Sequence, residues 1–68
     1  MKNTIRNRLE GRVTEILRGT VMSQVDVETG AGPITSIVTT RSIDEVGLKL
    51  GDSVVAAVKA TSVFLEKR

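Results

Sequence analysis

The chain has 68 residues and a formal net charge of +2, and Val, Ile and Thr together fill 23 of its positions. It contains no Cys and no His, and Phe64 is its one aromatic residue. This composition excludes disulfides, Cys-based zinc sites, a thiol nucleophile and the commonest general base. The longest apolar run is far shorter than the roughly 20 residues that span a bilayer, and the N-terminus lacks the apolar core of a signal peptide. We therefore expect a cytoplasmic protein without a membrane partner, folded as a single all-β domain over residues 1–68.

The shortness of the chain predicts an oligomer. A domain of this size buries only about 60% of its unfolded surface, and it usually needs disulfides, a metal or partner subunits for stability. Disulfides are impossible here, and the usual metal ligands are missing. The small net charge does not indicate a nucleic-acid partner, but five basic and only two acidic residues occupy the first 18 positions. The N-terminal end is therefore the expected anion-facing surface.

The first half of the chain predicts three strands. Residues 9–17 alternate between apolar and polar types until the pattern slips near the end of the segment. Residues 21–28 are the clearest strand, with Val21, Ser23, Val25 and Val27 on one face. The glycine-rich stretch 29–33 predicts a hairpin loop, in which Pro33 is excluded from a central ladder position. Residues 34–40 then predict the third strand.

The second half predicts one short helix and two further strands. Ser42 can cap the helix, with Glu45 three residues later as in a capping box and Gly47 at the end. After a tight turn, residues 53–59 predict a fourth strand with apolar residues on both faces, so one face is expected to pack on another subunit. Residues 63–65 predict a last short strand. Five strands and one helical turn fit a small OB-like barrel.

Catalysis is poorly supported, so we expect a protein that is not an enzyme. The central carboxylates fall on exposed faces or in turns, where solvated charge is their common role: Asp26, Glu28, Asp44, Glu45 and Asp52. A small barrel that binds nucleic acid or a protein partner is the alternative. Barrels that bind single strands use aromatic stacking platforms in a basic groove, and Phe64 alone is better placed in a core or an interface.

The residues that remain as candidates for a binding site carry hydroxyls, an amide and two permanent positive charges, those of Arg6 and Lys59. This set fits either ordinary strand and cap residues or a pocket for a tetrahedral oxyanion, which only accepts hydrogen bonds and so requires convergent donors and positive charge. Lys59 ends an apolar strand, so its charge is expected to have a partner. The set consists of Thr4, Arg6 and Asn7 before the first strand, Thr39, Thr40 and Ser42 after the third, and Lys59, Thr61 and Ser62 after the fourth.

At this point the sequence resembles the molbindins, a family of small molybdate-binding proteins also called Mop. Residues 4–13 resemble the family's opening, and residues 34–39 resemble its Ile-Thr-Ser-Ile strand. Residues 48–59 resemble its return strand with the closing lysine, and residues 61–63 resemble its final motif. The resemblance covers essentially the whole chain, in order and at matching spacing. It implies an OB-like barrel in strand-exchanged dimers, assembled as a hexamer that is a trimer of dimers.

The resemblance also implies the ligand and its site. The family binds molybdate or tungstate at subunit interfaces, without an organic cofactor and without direct cation ligands, and a free-standing chain fits storage or buffering of the anion. By position, the main site would use the Thr4 hydroxyl, the Ile5 N–H and the Arg6 guanidinium, with Asn7 fixing the local turn. The partner subunit would add Lys59, Thr39 and Ser42. A second kind of site near the threefold axis would draw on Gly19, Thr20, Val21, Met22 and Ser23.

Three positions depart from the family's opening. Thr4 stands in place of Ser and keeps the hydroxyl, while Ile5 stands in place of Ala and keeps the backbone donor. Arg8 stands in place of Gln and adds positive charge near the site. None of these departures removes a donor that the resemblance implies.

Overall fold

The computed structural model describes residues 4–68, which form four strands, one α-helix and one turn of 3-10 helix. The strands are β1 (Asn7–Leu17), β2 (Met22–Thr29), β3 (Gly32–Thr39) and β4 (Ser53–Val58), the helix is α1 (Thr40–Val46), and the 3-10 turn is Ala60–Ser62. Neither helix in this range has the length and apolar character needed to cross a bilayer. The chain is therefore predominantly β, as its β-branched composition predicts.

One antiparallel sheet contains all four strands, in the order β3-β2-β1-β4. The first half of β1 pairs with β4, and the second half pairs with β2. The two ladders meet at Gly11, which lies opposite both Thr29 and Val54. A Cβ atom at Gly11 would lie 2.4 Å from the carbonyl oxygen of Glu28. Glycine at this position therefore allows the close approach that joins the two halves of the sheet.

The slip in the hydrophobic pattern of β1 corresponds to a β-bulge. The register with β2 shifts between Val13 and Glu15, which adds one residue to β1. As a result Val13 is buried and Ile16 packs against the core, although an odd number of positions separates them. The hydroxyl of Thr14, within the bulge, donates to the backbone oxygen of Asp26 at 3.2 Å.

The core is small. Its buried apolar residues are Val13, Val25, Val27 and Ile43, and the partly buried ones packed on them are Ile16, Ile34, Val38, Leu48 and Val54. The predicted faces of the second strand are confirmed for Ser23, Val25 and Val27, whereas Val21 precedes the strand and is exposed. The curled sheet also leaves an open apolar groove of about 460 Å³ that β3 and β4 line.

The predicted helix forms, but its N-terminal cap differs from the prediction. Thr39 is the cap, and its Oγ1 accepts the backbone N–H of Ser42 at 3.1 Å. Capping by Ser42 and the capping box with Glu45 are therefore wrong, and Glu45 instead pairs with Arg41 at 3.2 Å. The reason is that Thr39 ends β3 with extended backbone angles, three residues before the donor it satisfies. Gly47 ends the helix with a φ of 73°, as predicted.

The predicted fifth strand does not form in the single chain. Val63 has extended backbone angles, but residues 63–65 take part in no sheet pairing among the described residues. They follow a 3-10 turn and reach no strand edge of their own chain. Phe64 is 90% exposed and Leu65 94% exposed, which excludes the core as the place of Phe64. The four strands of one chain therefore do not complete the predicted five-stranded barrel.

Candidate functional site

The N-terminal half of the predicted site lies at the open end of the ladder between β1 and β4. Asn7 lies opposite Val58, and its Nδ2 donates to the Val58 carbonyl oxygen at 3.2 Å. Arg6 and Lys59 are the next residues outward on the two segments. Asn7 was predicted to fix a local turn, but it instead joins β1 to β4. Lys59 follows Val58, the partner of Asn7, so it lies at the same ladder end as the N-terminal residues of its own chain, whereas the resemblance implied the lysine of a partner subunit.

This open end carries uncompensated positive charge. Thr4, Arg6 and Lys59 are exposed, and Ile5 is partly buried. Neither cation forms an ion pair within the part of the chain that the structure describes. The expected partner for the charge of Lys59 is therefore not found within residues 4–68. Two exposed cations at the same end of a ladder, neither with an ion pair among the described residues, favour an external anion.

Thr39 and Ser42 lie at the other end of the sheet. Thr39 pairs with Met22, beyond the point where β1 ends opposite Gln24. β1 has 11 residues, and at about 3.3 Å per residue its two ends are roughly 30 Å apart. The two halves of the predicted site therefore do not meet within one chain.

The hydroxyls of Thr39 and Ser42 form a closely bonded pair. Their oxygens are 2.6 Å apart, and Thr39 Oγ1 also accepts the Ser42 N–H at 3.1 Å. Each hydroxyl has one proton, and the bond between them uses one of the two. Whichever hydroxyl donates within the pair, one proton remains for an external acceptor. Both side chains belong to exposed residues, so this donor is accessible to a ligand.

Residues 19–23, the second candidate site, are partly committed to internal bonds. The Gly19 N–H donates to Ser23 Oγ at 3.2 Å, and Ser23 is only 3% exposed. Ser23 Oγ lies 2.6 Å from Thr40 Oγ1, which donates to the Gly19 carbonyl oxygen at 2.8 Å. The structure therefore assigns Thr40, which the carried-over site omitted, to a hydrogen-bonded group with residues of that second site. The consecutive threonines at the junction of β3 and α1 could have drawn attention to Thr40, but not to its partner Ser23.

Of the five central carboxylates, Glu28, Asp44 and Glu45 are exposed as predicted, whereas Asp26 and Asp52 are partly buried. Asp52 Oδ2 accepts the Lys49 N–H at 2.9 Å within the turn before β4. Asp44 accepts two hydrogen bonds from Arg18, at 3.0 and 3.2 Å, on the surface. Among residues 4–68, no cluster of three or more carboxylates could hold a metal ion.

Comparison with known proteins identifies the family. The TOBE domain family matches residues 3–65, and the chain belongs to it. Within that family the chain belongs to the molbindin (Mop) group, as the resemblance predicted. It is 38% identical over 66 residues to molybdenum-pterin-binding protein 2 of Clostridium pasteurianum, which covers 96% of this chain and 97% of that protein.

Solved structures show the same fold. A molybdate-binding protein from Sporomusa ovata superimposes with a TM-score of 0.93 and 37% identity, over 98% of this chain and all of that chain (100%). The cytoplasmic molybdate-binding protein ModG, solved with molybdate bound, superimposes with a TM-score of 0.82 and 39% identity. That match covers 88% of this chain but 43% of ModG, so the ModG chain is the longer of the two. All three relatives are described as binding proteins.

Proposed function

We propose that this protein binds molybdate or tungstate, as a tetrahedral dianion, in a site completed between subunits. The observation that carries the proposal is the exposed pair of cations, Arg6 and Lys59, held at the end of one ladder by the bond from Asn7 to Val58. A dianion of this kind only accepts hydrogen bonds, so it fits donors and positive charge without carboxylates. The two molybdate-binding proteins of known structure, at 37% and 39% identity, support this choice of anion.

The placement of the donors supports a site shared between two chains. In this proposal the Thr4 hydroxyl joins Arg6 and Lys59 on one subunit. The Thr39 and Ser42 hydroxyls reach the same anion from a neighbouring subunit, because the length of β1 keeps them away from the cations of their own chain. The Ile5 N–H is a further donor implied by the family, and the charge argument stands without it.

The exposed apolar surface supports an oligomer. Leu17, Val21, Met22 and Ile37 are each about half exposed or more, and they surround the end of the sheet where Thr39 lies. The groove along β3 and β4 and the apolar residues 63–65 add further uncovered surface. Each Å² of apolar surface buried on association contributes about 25 cal/mol, which offsets the small core. We propose a homo-oligomer, a hexamer built from three strand-exchanged dimers, that stores or buffers the anion in the cytoplasm.

Thermal unfolding with and without anion tests the proposed ligand. If the anion binds only the native oligomer, a concentration of 100 times the Kd stabilises each binding domain by about 2.7 kcal/mol, which raises the Tm by roughly 10 °C or more. Sulfate at the same concentration and ionic strength is the control for general salt effects. Native mass spectrometry counts subunits and anions together. If neither molybdate nor tungstate at millimolar concentration changes the Tm, the proposed ligand is wrong.

Substitution of the lysine tests the site. We expect Lys59→Ala to keep the oligomer and to weaken anion binding at least tenfold, because a charged hydrogen bond contributes about 1.5–3 kcal/mol. Lys49→Ala is the matched control, since Lys49 is also exposed and its bond to Asp52 uses only the backbone N–H. Equal affinity in Lys59→Ala and the unmodified protein would overturn the site assignment. A salt-sensitive Tm shift with a single-stranded oligonucleotide would instead support the nucleic-acid alternative.

A further inference from the structure

We propose that Thr40 and Ser23 are positioning residues that hold the Thr39 and Ser42 hydroxyls in their binding orientation. This inference rests on the proposed function, because Thr39 and Ser42 are ligands only if the anion binds there. Thr39 and Thr40 are consecutive, and their side chains have different partners. Thr39 bonds to the exposed Ser42, whereas Thr40 bonds to the buried Ser23.

The hydrogen bonds among Thr40, Ser23 and Gly19 form a closed ring in which the donor of each bond can be assigned. Thr40 Oγ1 gives its one proton to the Gly19 carbonyl oxygen at 2.8 Å. In the 2.6 Å contact between the two hydroxyls, Ser23 must therefore be the donor and Thr40 the acceptor. Ser23 Oγ in turn accepts the Gly19 N–H at 3.2 Å. Every hydroxyl proton of the ring is thus used within it.

A fourth bond fixes the backbone of the same residue. The Thr40 N–H donates to the Val21 carbonyl oxygen at 2.8 Å. This N–H belongs to the peptide that joins Thr39 to Thr40, so the bond fixes the orientation of Thr39 about its ψ angle, which is 143°. The cap geometry that brings Thr39 Oγ1 to the Ser42 N–H requires this extended conformation. Bonds on the buried side of the turn therefore set the orientation of the two binding hydroxyls on its exposed side.

The ring also limits which of residues 19–23 can donate a hydrogen bond to a ligand at the second candidate site. Ser23 has no proton left to donate, and both backbone groups of Gly19 bond within the ring. Gly19 and Ser23 are therefore anchors for the turn in this proposal. Thr20, Val21 and Met22 are the members of the second candidate site whose side chains are exposed.

The test removes the Thr40 hydroxyl without changing the shape of the side chain. We expect Thr40→Val to weaken molybdate binding about tenfold by calorimetry, the size of effect that loss of one hydrogen bond can produce. Thr40→Ser keeps the hydroxyl and is expected to restore affinity to within about twofold of the unmodified protein. Thr14→Val is the matched control, since the Thr14 hydroxyl also donates to a backbone oxygen but lies in β1. Unchanged affinity in Thr40→Val, or no rescue by Thr40→Ser, would overturn the positioning role.

A second measurement needs no anion. In the ligand-free protein, the amide signal of Ser42 reports the cap bond to Thr39, and we expect Thr40→Val to shift it while Thr40→Ser and Thr14→Val do not. If the unmodified protein binds no molybdate, the proposed function fails, and this signal still tests whether the ring sets the cap. If Thr40→Val does not fold, Ser23→Ala takes its place, because it opens the ring and leaves the bond from Thr40 to Gly19. An unshifted Ser42 signal in a folded variant of this pair contradicts the inference.

Discussion

The two ends of β1 differ in how their polar groups are held. At the end next to β4, the Asn7 side chain adds a bond to the backbone pairing of β1 with β4, and Arg6 and Lys59 have no ion-pair partner among the described residues. At the end next to α1, three hydrogen bonds connect Thr40 and Ser23 to Gly19 and Val21, and a fourth joins Thr40 to Ser23. The exposed hydroxyls of Thr39 and Ser42 bond to each other.

This difference indicates a division of roles between the ends. In the proposed site, the charged end would supply attraction for the anion, and ordering its side chains on binding would reduce the affinity. The hydroxyl end is ordered before any ligand arrives, so it loses little conformational freedom on binding. An oligomer that places one end of one chain beside the other end of a neighbour would combine both properties in each site.

Gly11 lies between the two ends of β1, where the strand pairs with both β2 and β4. Among these predictions, its substitution is expected to have the largest effect on stability. A Cβ atom there would lie 2.4 Å from Glu28 O and 2.7 Å from Val27 Cγ1. Gly11→Ala must therefore push β2 away from β1, and we expect a loss of about 1–3 kcal/mol in the free energy of unfolding. Urea denaturation measures it. Gly30→Ala is the control, because nothing lies within 4 Å of a Cβ atom at that position. Equal stability of the two variants would show that the ends do not depend on this close approach.

The next test is substitution of Asn7, which affects only the charged end of β1. Asn7→Ala removes the bond to the Val58 carbonyl oxygen, so we expect about 1 kcal/mol lower stability and several-fold weaker molybdate binding as Lys59 becomes less ordered. The matched variant is Gln24→Ala, which removes an amide that bonds to Asp26 away from that end. Calorimetric titration of both variants provides the comparison. If Gln24→Ala weakens binding as much as Asn7→Ala, the effect is not local to the charged end.

The smallest effect is expected for the ion pair between Arg18 and Asp44, near the hydroxyl end. Its side chains are 50% and 63% exposed, so solvent screens the interaction and Arg18→Gln should lower stability by less than about 1 kcal/mol. The difference from the unmodified protein should also shrink in high salt. Urea denaturation at low and high ionic strength measures both quantities. A loss well above this value would mean that the ion pair, rather than the ring around Thr40, holds α1 in place.

Local patterns in the sequence predicted most of the fold. The alternation of β2 predicted its buried face, and Gly47 predicted the helix end, because both depend on nearby residues. The slip in β1 was visible as a pattern, but only the register with β2 shows it as a bulge. The cap was assigned to Ser42 instead of Thr39, because several adjacent hydroxyls can each serve and the end of β3 decides between them.

The candidate site was less predictable, because it depends on which segments meet. The sequence indicated the donors and cations by type, but the neighbourhood of Lys59 and Asn7 follows from the pairing of β1 with β4. The link from Thr40 to Ser23 joins residues 17 positions apart, and no local pattern connects them. The last strand was predicted from three apolar residues, which pair with neither edge strand of their own chain among the described residues.

The position of Pro33 has a consequence for how copies of this chain can add to one another. β3 and β4 are the two edges of the sheet, and an edge strand attracts a further strand through its row of unpaired N–H and C=O groups. Pro33 lies in β3 and has no N–H, so this edge strand has one backbone donor fewer, whereas β4 contains no proline. Strand addition is thus favoured at one edge and hindered at the other. A sheet with only one receptive edge forms closed pairs in preference to unlimited fibrils.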